Sequence, residues 1–133
     1  MSELIVTAPD AGEYPPFYET YVSLVPREGG IVAVLERQLA EMLALLGDLS
    51  AAQADSRYAP GKWSVKELVG HVIDSERVFA YRALRFARND QTPLPGFEQD
   101  GYVLNATFAE YRLSDLADEL RTSGVPISIS SSI

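Results

Sequence analysis

His71, Asp74, Glu76, Arg77, Arg82 and Arg85 fall within one short run, HVIDSERVFAYRALR. An imidazole can ligate a metal or carry a proton, a carboxylate can do either, and a guanidinium recognises anionic groups. The run lacks Pro and Gly, so it suits a helix. At 100° per residue His71, Ser75, Val78, Arg82 and Arg85 form a stripe beside the apolar face, and Glu76 falls near the middle of that face. A carboxylate there is costly unless it is paired, hydrogen-bonded or metal-bound, so Glu76 calls for a partner. Asp74 lies about 60° from the His71 direction and suits a supporting position better than a shared ligand shell. Residue type alone leaves His71 open between a hydrogen-bonded structural histidine and a ligand, and the arginines open between a solvated face and an anion site.

The helix that positions these groups starts at Trp63-Ser64-Val65-Lys66-Glu67-Leu68. Ser64 and Glu67 have capping-box spacing, and Trp63 and Leu68 have the spacing of a hydrophobic staple. Leu68, Val69, Val72, Phe79, Ala83 and Phe86 then recur at helical intervals to about Asn89. Upstream, Ile31, Val34, Leu35, Met42, Leu45, Leu46 and Leu49 predict a first helix ending near 47–50, with Gln38 in the centre of its stripe. A buried amide at Gln38 could bond Glu76 or line a pocket. Residues 51–62 link the two helices, with Pro60-Gly61 as the final turn, and helices so joined are expected to lie antiparallel.

Residues 89–106 read as a long loop that could wall a pocket with Phe97, Tyr102, Glu98 and Asp100. Thr107 with Glu110 offers a capping box ahead of a third helix built on Leu113, Leu116, Ala117 and Leu120. The tail SGVPISISSSI drops the helical pattern for one suited to strand or disorder. Residues 1–25 read as an extension laying Tyr14, Phe17, Tyr18 and Tyr21 over the end of a bundle. The expectation is one helical domain over 1–133, with 1–25 an extension and 123–133 an atypical tail.

The chain has 133 residues, 47% of them hydrophobic, which suits a single soluble core. A formal net charge of −8 argues against nucleic-acid binding, which needs clustered positive charge. With 0 Cys there is no thiolate ligand, disulfide or internal thiol nucleophile. No stretch has the length and apolarity of a membrane span and no signal peptide is recognisable, so a cytoplasmic location is expected.

The linked run YAPGKWSVKELVGHVIDSERVFAYRALRFARNDQTPLPGFEQDGYV, with Trp63-Ser64, Gly70-His71 and Asp74, Tyr81-Arg82, and Pro93 to Asp100, resembles the DinB-like (DinB/YfiT) superfamily. The resemblance extends from Tyr21 to about Arg121. It implies an all-α, DinB-like up-and-down helical bundle of four-helix type. In that family the histidine matching His71 is the first of three ligands to a divalent metal, and an HxxxH-type pair on the last helix supplies the others. This chain contains 1 His, so the last helix is expected to be missing or incomplete, as in a truncated or frameshifted family member. The implied site is a Zn, Ni or Mn centre held incompletely by His71, with Glu76 making up the number. Arg82 and Arg85 would recognise an anionic small molecule or small thiol. Small-thiol transfer or hydrolysis is the implied chemistry. The alternative is a non-catalytic helical module that binds no metal, and a homodimer is expected under either reading.

Overall fold

The computed structural model describes residues 6–123. Among the described residues the protein is all-α, with no strand and a single isolated bridge between Arg57 and Ser64. No helix among them is long and apolar enough to cross a membrane. The chain divides into two compact units, one ending at Glu41 and the other beginning at Met42.

In the first unit, short 3-10 turns at Ala11–Glu13 and Pro16–Tyr18 lead into α1 (Glu19–Val22). Within this unit the Tyr18 and Tyr21 rings lie 5.4 Å and 6.3 Å from the Phe17 centroid, and Tyr14 donates its hydroxyl to the Glu19 carboxylate. Gly29 and Gly30, at φ 83° and 80°, make the turn into α2 (Ile31–Gly47). Successive left-handed residues are a conformation that side-chain-bearing residues resist.

The second unit is built on α4. Ser50 caps α3 (Ala51–Ala54) through a reciprocal box with Gln53. A turn through Gly61 then reaches Ser64, whose hydroxyl accepts the Glu67 N–H at 3.2 Å and opens α4 (Val65–Ala87). Only that half of the expected capping box forms, because the Glu67 carboxylate is taken by Arg57. The helix α4 packs on α6 (Leu113–Ser123), α5 (Gln99–Ala106) and the 3-10 turn Phe108–Glu110. Val69 and Ile73 of α4 and Leu116 and Leu120 of α6, each pair at i,i+4, are buried with Val103 and Phe108. Full burial of an aliphatic side chain contributes about 1.5–3 kcal/mol, so these residues carry most of this unit's cohesion.

Two expectations change here. The segment 89–106 is not loop throughout, because its second half is α5. That helix buries only Val103 and leaves Leu104 81% exposed, so it carries no apolar period to read. Thr107 makes no side-chain cap: at φ 54° it closes α5 and leads into the 3-10 turn Phe108–Glu110, and its hydroxyl donates to the Ala106 carbonyl. Residues 124–133, with their strand-or-disorder reading, lie outside the described residues.

Candidate functional site

Gly70 and His71 are adjacent on α4 and do different work. A Cβ on Gly70 would overlap the ring of buried Phe108, so the glycine lets the 3-10 turn lie flat on the helix. His71 is half-buried against Trp63, with ring centroids 5.0 Å apart and planes inclined by 42°. Among the described residues neither imidazole nitrogen makes a hydrogen bond, and neither is sealed from solvent. That excludes a histidine held by an internal hydrogen bond within the described residues and leaves both nitrogens available to a ligand.

Asp74 and Arg77 continue along α4 towards α6. Arg77 approaches Asp74 at 3.7 Å and binds the Glu119 carboxylate of α6. Burial pushes the Asp74 carboxyl above its usual range, Arg77 works against this, Glu119 adds to it and His71 opposes it. Glu76 is half-buried and forms no ion pair or hydrogen bond among the described residues. It falls about 140° round the helix from His71. These two do not assemble into a metal shell: among the described residues no group of three His, Asp or Glu side chains could hold an ion. The donor set therefore does not fit a complete centre.

The expected substrate residues are placed differently from one another. Arg85 holds the segment after α4: its Nε lies 2.6 Å from Asp90 Oδ2, Nη1 donates to the Tyr81 hydroxyl at 3.2 Å, and Nη2 donates to the Thr92 carbonyl at 2.5 Å. The Thr92 N–H and hydroxyl, together with Arg85, hold the Asp90 carboxyl below its usual range. Arg85 is thus a strap for residues 90–92 with little capacity left for substrate. Arg82 donates to the Pro95 carbonyl at 3.2 Å and sits over the Phe79 ring at 5.8 Å. It also lines a cavity of about 260 Å3 with Arg77, Tyr81, Phe97 and Tyr102. Gln38 is exposed, not central to a covered stripe. On α2 the covered residues are Ile31, Val34, Leu39, Leu43 and Leu46, and from Leu39 onward this line is turned away from Gln38.

A larger groove, about 620 Å3, opens at the start of α4 between Tyr58, Lys62, Trp63, Leu68 and Asp100. Of these residues the sequence singles out Trp63 and Leu68 as a staple and Asp100 as a pocket wall. The available signal was Pro60-Gly61 before a capped helix, since Gly61 at φ 76° turns the segment across the helix end.

Helical architecture and a solvent-reachable histidine on the longest helix define a helical protein with one candidate metal donor. The model of the DinB superfamily matches residues 34–123, and the chain belongs to that superfamily. A protein of Bacillus pumilus (strain SAFR-032) named "Putative metal-dependent hydrolase" is 33% identical over 88 residues, covering 65% of this chain and 41% of that protein. The chain thus spans about two-fifths of the length of this curated relative. No solved structure matches.

Proposed function

We propose that the chain works within a metal-dependent protein of hydrolase type and contributes His71 as one donor to a divalent ion. The observation that carries this reading is the His71 imidazole itself: half-buried, braced by Trp63, with both nitrogens unpartnered among the described residues and open to solvent. Family membership and the name of the Bacillus relative support it. Further donors come from outside the described residues or from a second copy, because no group of three His, Asp or Glu side chains among the described residues could hold an ion. Hydrolysis is preferred over small-thiol transfer on the relative's name. Dependence of turnover on added thiol separates the two, since the chain has 0 Cys.

The test is native mass spectrometry of tag-free protein after incubation with Zn, Ni or Mn. Retained metal that disappears in His71→Ala is the expected result. A chain that holds no metal, or holds it equally well after that substitution, overturns the reading.

A second reading, a self-associating module, has its own support. Leu68, Phe79 and Phe86 lie along one line of α4 and are 51%, 57% and 73% exposed. A second copy covering them would recover about 1.5–3 kcal/mol for each side chain fully buried. Sedimentation equilibrium should show a dimer that Phe79→Glu dissociates. A monomer at all concentrations refutes it.

A further inference from the structure

The groove at the start of α4 has an apolar floor and opposite charges on its rim. Tyr58 is 85% exposed, Leu68 is 51% exposed, and Trp63 lines the groove beside them. Two cations reach it, but they differ. Arg57 is committed to the Glu67 carboxylate and the Lys62 carbonyl. The Lys62 ammonium has no ion pair or hydrogen bond among the described residues. Asp100 is likewise free: its backbone N–H is used by Glu98, but its carboxylate pairs with nothing described. Lys62 and Asp100 line the same groove and do not pair with each other. Unpaired opposite charges flanking an aromatic floor are the complement of a molecule that carries both charges on an apolar body.

We propose that this groove binds a small aromatic zwitterion of the amino-acid class, its ring on Trp63 and Tyr58, its carboxylate on Lys62 and its ammonium towards Asp100. The inference does not depend on metal binding at His71. The volume, about 620 Å3, falls within the range usual for small-molecule sites and accommodates such a ligand with water. Its open form and exposed charges make the binding weak, because each charge–charge contact is made partly in water.

Trp63 is the sole tryptophan of the chain, so its emission reports the groove directly. The experiment uses the full chain treated with chelator, which separates this proposal from the metal reading. Trp63 emission, excited at the red edge of its band, is followed on titration with phenylalanine, 3-phenylpropionate and 2-phenylethylamine. Phenylalanine should shift the emission and bind up to roughly fivefold more tightly than either singly charged analogue, as expected when each lost exposed charged contact is worth up to about 1 kcal/mol. Lys62→Gln should erase the advantage of phenylalanine over the amine while keeping its advantage over the acid. Asp100→Asn should do the reverse. Both positions are exposed, and circular dichroism checks that the variants stay folded. Equal binding of the three probes, an acid that matches phenylalanine, or no change in emission with any probe overturns the proposal.

Discussion

Gly70→Ala should destabilise the protein although it replaces a helix-interior glycine by the best helix former. Propensity alone predicts a gain of about 1 kcal/mol. The structure opposes that gain at one contact. A Cβ built on Gly70 overlaps Cγ, Cδ2 and Cε2 of Phe108, well inside the roughly 3.5–4.0 Å optimum for carbon pairs. Phe108 is only 8% exposed, so its ring has no free direction in which to retreat. Overpacking a core costs about 1–3 kcal/mol, and driving a phenylalanine into water forfeits a similar about 1.5–3 kcal/mol. Set against the propensity gain, the net is a loss of up to about 2 kcal/mol. Thermal denaturation followed by circular dichroism should show a Tm lower by a few degrees, since about 1 kcal/mol shifts a chain of this size by roughly 4 °C. Combining Gly70→Ala with Phe108→Leu supplies the control: the double variant should lose less than the sum of the single changes, because the smaller side chain makes room for the methyl group. A Gly70→Ala protein stabilised by the full propensity gain of about 1 kcal/mol would refute the close approach of the 3-10 turn to α4.

Asp74→Asn should raise Tm at neutral pH and make no difference in strong acid. The raised carboxyl pKa means that the folded state disfavours the charged form, so Asp74 costs stability as pH rises through and above its usual range. The groups facing it are Arg77, Glu119 and His71, and the Arg77 pair lost in the variant is exposed enough to matter little. A lower Tm at neutral pH in chelator-treated protein would contradict the assignment. Ser64→Ala removes a buried N-cap and should cost about 1 kcal/mol by denaturant titration, whereas an unchanged midpoint would mean that α4 does not start there. Arg85→Lys keeps the charge but cannot reach Asp90, Tyr81 and Thr92 together. Amide exchange should quicken over residues 90–92 alone, and exchange unchanged there would refute the strap.

Local chemistry made part of the fold legible. Ser64 announces α4, and the pair Leu116 and Leu120 marks α6, because a cap or a stripe is written in consecutive residues. What α4 leans against is not written there. Its apolar stripe centres near Leu68, Val72 and Phe79, yet the covered side is Val69 and Ile73, turned by roughly 100° because α6 and Phe108 arrive from that direction. Glu76 lies between the open stripe and the covered side, which explains its partial burial without a partner. The same reasoning applies to Glu67, whose cap role could be read from a spacing of three but whose partner Arg57 lies ten residues upstream. At the candidate site, His71 could be singled out by type, and its support by Trp63 follows from a turn geometry no periodicity encodes. The helix α5 is not legible in the sequence, because a helix with one buried residue has no pattern to display.

The two lysines of the chain give it a chemical handle. Lys66 is folded inward, its side chain 11% exposed, with its ammonium 2.9 Å from Asp55 and 3.4 Å from the Ala109 carbonyl. Lys62, four residues earlier, is exposed and unpaired among the described residues. Amine reagents acting on the native chain will therefore find a single free side-chain amine, placed at the mouth of the groove beside Trp63. A reporter attached there reads the groove without an engineered residue, and its failure to react when a ligand is present would serve as a footprint of occupancy.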